Sequence, residues 1–95
     1  MSHEHHALIQ WSAEQASRGL PTVLKTTDPA WIEPGEEAWS VVCEFAIPPS
    51  EQGNPSSAKV RFLMPEAPHS QLVVGATLHL FERATSKTAL LTITD

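Results

Sequence analysis

The stretch from Trp39 to Ile47 alternates large apolar side chains with smaller or polar ones at a period of two residues. This is the period of a β-strand, in which successive side chains point to opposite faces of a sheet. The pattern predicts a strand whose inward face carries five residues: Trp39, Val41, Cys43, Phe45 and Ile47. Further strands are expected on either side of it.

Three later segments alternate in the same way, and each predicts a strand with its own inward set. The segments are Ala58–Met64 with Val60, Phe62 and Met64 inward, Ala76–Glu82 with Leu78 and Leu80 inward, and Thr88–Thr94 with Ala89, Leu91 and Ile93 inward. A β-branched run from Thr22 to Thr27, followed by Asp28 and Pro29, predicts a first strand and then a turn. Five or six short strands separated by turn residues are typical of a sandwich or barrel, and we expect an all-β fold, a small antiparallel β-barrel.

The N-terminal part of the chain favours a different structure. Helix-forming residues run from Ala7 to Arg18 and are followed by Gly19 and Pro21, which predicts a short N-terminal helix leaning on the domain through its apolar side chains. The polar, proline-containing stretches 28–37 and 49–57 are expected to be loops, the second of them mobile. We therefore expect a tail and helix over residues 1–20 and one β-barrel domain over residues 21–95.

Composition limits the classes of function. The chain has 95 residues, enough for one domain, and a formal net charge of -5, which disfavours general affinity for nucleic-acid phosphates. The single Cys43 has no second cysteine with which to form an internal disulfide. The first ten residues lack the basic and apolar regions of a secretion signal, and no apolar run has the length of a membrane span. We expect a cytoplasmic protein.

The order of residues in AKVRFLMPEAPHSQLVVGATLHLFER, Ala58 to Arg83, follows a recognisable plan. A strand at Val60–Met64 leads to a proline-containing turn at Pro65–Pro68, then to Leu-x-x-Gly at Leu72–Gly75, and then to a strand that ends in an acidic residue at Glu82. This plan resembles the C-terminal β-barrel domain of elongation factor Tu and related translational GTPases. With the upstream WSVVCEF strand, the resemblance covers about the last 60 residues.

The resemblance implies a β-barrel of the elongation factor Tu type and contact with RNA, either tRNA or the ribosome. It does not extend to the nucleotide-binding machinery, because the sequence contains no GxxxxGK[ST] phosphate-binding loop. The RNA-binding function is thus an alternative that only the resemblance implies.

Few residues have the chemistry of a catalytic or metal site. His3, Glu4, His5 and His6 form the one dense group of potential metal ligands, at an N-terminus where we expect a solvated tail. Cys43 would need an exposed, electropositive setting to act as a nucleophile, and its phase in the strand points it inward. His69 and His79 are candidate bases, but no oriented carboxylate partner can be named for either. We expect no catalytic site, no metal and no cofactor.

Two groups of residues are candidates for contact with a partner. Trp11, Trp31 and Ile32 flank the expected barrel and would form an aromatic and aliphatic contact patch if exposed. Lys59 and Arg61 share the outward face of one strand and, joined by Arg83 on a neighbouring strand, would form a basic patch. The sequence therefore predicts a non-catalytic binding or accessory module that engages a protein partner, with a translation-related RNA-binding module as the alternative.

Overall fold

The computed structural model describes residues 4–33, 35–83 and 86–95, with the side chains of residues 82, 83, 86 and 87 left out of the description. Six strands form a closed barrel in the order β1-β4-β3-β2-β5-β6, and all neighbouring pairs are antiparallel. The strands are β1 His5–Trp11, β2 Lys25–Trp31, β3 Ala38–Glu44, β4 Ser56–Phe62, β5 Thr77–Arg83 and β6 Ser86–Ile93. Two short helices, α1 Ala13–Arg18 and α2 Pro49–Gln52, and a 3₁₀ turn at His69–Gln71 complete the described elements. The expected β-barrel is confirmed.

The first strand corrects the prediction of a helix that starts at Ala7. Ala7, Ile9 and Trp11 are buried while the residues between them are exposed, which is strand periodicity. β1 pairs with both β4 and β6, so residues 5–11 close the barrel and are not part of a tail outside it. Only Ala13–Arg18 is helical, and it begins where the Ser12 hydroxyl accepts a hydrogen bond of 3.1 Å from the Gln15 amide.

The second strand lies later in the chain than predicted. β2 starts at Lys25, and Asp28 and Pro29 lie inside it instead of forming a turn. Along its whole length β2 pairs with β3, but its pairing with β5 covers only Ala30 and Trp31. Proline has no N–H to donate to a ladder, so it is tolerated in a strand where pairing on one side ends. The prediction of a turn at Asp28 and Pro29 was therefore wrong.

The other predicted strands are confirmed, and most of their inward residues are buried. The residues predicted to point inward that are buried are Val41, Cys43, Phe45, Val60, Phe62, Leu78, Leu80, Ala89, Leu91 and Ile93; Val42, predicted on the other face of its strand, is buried as well. Ile47 and Met64 were wrongly predicted to point inward, since β3 ends at Glu44 and β4 ends at Phe62, and both side chains are exposed. Trp39 is half-buried and packs against the core.

The stretch 49–57, predicted to be a loop, contains regular secondary structure at both ends. It contains α2 and the first residues of β4. The Gln52 side chain ties the two together: its amide nitrogen donates to the Ile47 carbonyl at 2.6 Å and its oxygen accepts from the Ser57 amide at 2.7 Å.

Among the described residues, no helix has the length and apolar character needed to cross a membrane.

Candidate functional site

The structure buries one residue of the predicted contact patch and half-buries the other two. Trp11 is only 7% exposed, and its indole Nε1 donates a hydrogen bond of 2.9 Å to the Ser56 hydroxyl. The half-buried Trp31 stacks on Phe81 with 3.8 Å between ring centroids, and Ile32 packs partly buried against the core. Trp11 therefore packs inside the barrel. It is not part of an exposed contact patch, as the sequence had suggested.

The predicted basic patch is contradicted by the strand order. Lys59 and Arg61 lie on β4, while Arg83 belongs to β5. In the ring of six strands, β4 and β5 occupy opposite positions, each three steps from the other in either direction. The side chain of Arg83 is outside the described part of the structure, but its strand alone places it across the barrel from Lys59 and Arg61.

His5 and His6 lie on β1, where successive side chains point to opposite faces. His3 lies outside the described residues, His5 is half-buried, and His6 is exposed with its Nδ1 at 3.1 Å from a carboxylate oxygen of Asp95. Within the described ranges, no three histidine, cysteine or acidic side chains are grouped closely enough to hold a metal ion.

Cys43 lies in the core, as its strand phase predicts. The pKa of its thiol is raised from 9.0 to about 12: burial is the largest cause, the nearby charge of Asp28 also raises it, and the Thr26 hydroxyl lowers it. The thiol is thus protonated near neutral pH, and thiolate is the form that acts as a nucleophile. His79 lies between the buried Leu78 and Leu80 on β5, and so points away from the core that holds Cys43.

His69 belongs to the turn after β4. Its ring packs edge-on against Phe62 at 5.7 Å between centroids, and its Nε2 lies 3.0 Å from the Pro65 carbonyl oxygen. These contacts tie the 3₁₀ turn to the end of β4. His69 thus has a structural role in packing the turn against Phe62. Cys43 is buried on β3.

An exposed aliphatic surface that the sequence analysis did not identify lies at one end of β3. Val23, Leu24 and Ile47, here called the aliphatic cluster, are 49%, 54% and 53% exposed. Their two chain segments run side by side, since the Phe45 amide donates to the Leu24 carbonyl at 2.7 Å and the Ser50 amide donates to the Pro21 carbonyl at 2.9 Å. The sequence signal for this surface is the apolar alternation of β3, which continues to Ile47 although the strand ends at Glu44.

Ile47 also lines a groove of about 500 Å³ between the end of β3 and the strands β4 and β1. The floor of the groove includes Lys59 and His6, which are cross-strand neighbours, and Glu44 is the next neighbour of Lys59 on β3. Lys25 on β2 continues the same row beside Glu44. An apolar edge thus borders a row of charges of alternating sign.

A second, smaller cavity of about 240 Å³ lies where β2 and β5 part. Thr26 and Asp28 share the phase of the buried Ala30 on β2 and line this cavity, together with Trp11 and Phe81. Two polar side chains thus occupy core-facing positions of a strand, where aliphatic residues are usual.

The chain was compared with protein families, curated proteins and solved structures. No family model, curated protein or solved structure matches the chain. The resemblance to the barrel of elongation factor Tu therefore stays a prediction from the sequence.

Proposed function

We propose that this chain is a small non-catalytic binding module that engages a protein partner through the aliphatic cluster and the adjoining groove. The observation that carries the proposal is the grouping of Val23, Leu24 and Ile47, each about half exposed, on two segments joined by backbone hydrogen bonds. Contiguous exposed apolar surface bordered by polar residues marks sites of protein interaction on soluble domains.

The groove indicates what the partner presents. Its volume of about 500 Å³ is within the range of sites that take a compact group, and its wall beside Ile47 is apolar. Lys59 lies on the groove floor, and its methylene stem adds apolar surface while its ammonium group stays in water. The occupant that fits is a segment of a partner protein with an aliphatic side chain beside Ile47 and a carboxylate that reaches Lys59.

Two observations support a binding role over catalysis and over RNA binding. The one cysteine is buried with a raised thiol pKa, His69 packs against Phe62, and His79 lies on the outward face of β5. The three basic residues proposed for an RNA surface are divided between opposite strands of an acidic protein. A reduced, buried thiol also agrees with the cytoplasmic location that we propose for the module.

The test uses the full chain as bait in lysate of the source organism, with and without nuclease treatment, and captured proteins are measured by quantitative mass spectrometry. The variant carries Leu24→Glu and Ile47→Glu. The control carries Leu63→Glu, because Leu63 is similarly exposed but its amide bonds to Ser40 near the other end of β3.

We expect at least one protein to be captured by the wild type and the control and to be lost with the double variant. Its direct binding to the purified chain should then show the same dependence on Leu24 and Ile47. Identical capture by all three baits would overturn the proposed surface. Capture that disappears with nuclease would transfer the function to the RNA-binding alternative.

A further inference from the structure

We propose that the 240 Å³ cavity between β2 and β5 binds an organic ammonium group carried on a short carbon chain. This site is separate from the aliphatic cluster and does not depend on the proposed protein partner. The ligand class follows from three properties of the cavity: an inward-facing carboxylate, aromatic walls and a small volume.

The carboxylate is that of Asp28. It occupies a core-facing position of β2, opposite the buried Val41 of β3, and is half-buried. Asp28 has no hydrogen bond or ion pair among the described residues. A half-buried carboxylate that has no cationic partner attracts a cation bound beside it.

Thr26 supplies a second polar group on the same face of β2. Its Oγ1 is buried and makes no hydrogen bond of good geometry, although it approaches the Cys43 sulfur. Buried hydroxyl groups in folded proteins almost always have a partner. An ammonium group has three N–H donors, so a cation beside Asp28 keeps donors for the other polar side chains that line the cavity.

The walls favour an organic cation over a metal ion. Trp11 and Phe81 line the cavity, and aromatic rings attract ammonium groups through their electron-rich faces. The cavity is smaller than the usual 300–1,000 Å³ of drug-sized pockets. It corresponds to about eight water volumes of ~30 Å³ each, which suits an ammonium head with a few methylenes.

The probe is n-butylammonium, titrated into ¹⁵N-labelled full chain and followed by the indole N–H signal of Trp11. Neutral n-butanol is the matched probe without charge. Asp28→Asn is the test variant because it keeps the side-chain shape, and Glu44→Gln is its control because it removes a carboxylate from the external groove. A blocked lysine, acetylated at its α-amine and amidated at its carboxylate, distinguishes a lysine side chain of a partner from a free amine.

We expect saturable movement of the Trp11 indole signal with butylammonium, about tenfold weaker binding in Asp28→Asn, and unchanged binding in Glu44→Gln. The Leu24→Glu and Ile47→Glu double variant should bind butylammonium normally, so failure of the protein-partner proposal leaves this one standing. Binding of blocked lysine would assign the site to a lysine side chain, and its failure beside bound butylammonium would assign it to a free amine.

Three results would overturn the proposal. These are equal binding of butanol, unchanged binding in Asp28→Asn, and the absence of any saturable shift at the Trp11 indole. If Asp28→Asn instead self-associates with no change in amine binding, the inward carboxylate protects the partly unpaired edge of β2 from pairing with another chain.

Discussion

The indole Nε1–H of Trp11 donates a buried hydrogen bond of 2.9 Å to the hydroxyl of Ser56, which in turn donates to the Gly53 carbonyl at 2.7 Å. Ser56 has no exposed surface, and it is the buried polar residue of the described core. The contact joins β1 to β4 across 45 positions of sequence. A tryptophan expected at a partner surface thus links two strands inside the barrel.

Replacement of Ser56 by alanine should lower the free energy of unfolding by about 1–3 kcal/mol, because the buried indole donor loses its acceptor. Urea unfolding followed by circular dichroism measures the change. Ser57→Ala is the matched control: Ser57 is exposed on the same strand, and only its backbone is hydrogen bonded in the described structure. Equal stability of the two variants would show that the indole bond contributes nothing.

The side chain of Asn54 holds the backbone of Trp11 with two hydrogen bonds. The Trp11 amide donates to Oδ1 at 2.9 Å, and Nδ2 donates to the Trp11 carbonyl at 3.1 Å. Asn54→Ala should cost about 1–3 kcal/mol in unfolding free energy, since each net hydrogen bond contributes 0.5–1.5 kcal/mol. It should also speed hydrogen exchange at the Trp11 amide. Gln10→Ala, at an exposed position of β1, should leave that exchange rate unchanged, and faster exchange in both variants would count against a specific clamp.

Leu91 and Leu90 test the phase of β6. Leu91 is completely buried, whereas its neighbour is half-buried on the outer side. Leu91→Ala should destabilise the fold by about 2–5 kcal/mol through a cavity in the core, and Leu90→Ala by less than half of that. Denaturant midpoints of the two variants measure the difference. A larger loss for Leu90→Ala would reverse the assigned inward face.

Stability at high pH should depend on Cys43. Burial raises the thiol pKa from 9.0 to about 12, so the folded state holds its proton when the unfolded chain has lost it. The stabilisation is fully present below pH 9.0 and is lost as the pH rises toward about 12. Between these values the free energy of unfolding should fall more steeply in the wild type than in Cys43→Ala. Parallel curves for the two proteins would contradict the raised pKa.

The reactivity of the same thiol gives a second measurement. Near neutral pH the native protein should react with Ellman's reagent only as fast as it unfolds, and denaturant should release the full reaction. Rapid modification of the native chain would contradict the burial of Cys43.

The strands that the sequence predicts best are those whose alternation spans the entire element. Leu78 with Leu80, and Ala89 with Leu91 and Ile93, have the buried phase expected of them. The candidate sites were predicted less well, because a site depends on which strands are neighbours. Lys59 and Arg83 lie on opposite sides of the barrel because β4 and β5 are three strands apart in the ring. No local sequence pattern encodes that order.

The errors also have local causes. Residues 7–11 alternate as a strand requires, but they run into the helix formers of Ala13–Arg18, and the combined stretch favours one longer helix. Pairing with β4 and β6 decides between the two structures. At Ile47 the alternation continues past the last paired residue of β3, so its side chain belongs to the surface although the pattern assigned it to the core.

By itself the sequence determined the β class, the phase of four strands and the burial of Cys43, because side-chain alternation is a local property that reflects one buried face. Tertiary structure decided the closure of the barrel by β1, the place of Pro29 inside a strand, and the position of the aliphatic cluster and the Asp28 cavity. These features depend on pairing between strands far apart in sequence. Such pairing is set by the combined burial and hydrogen bonding of the whole barrel.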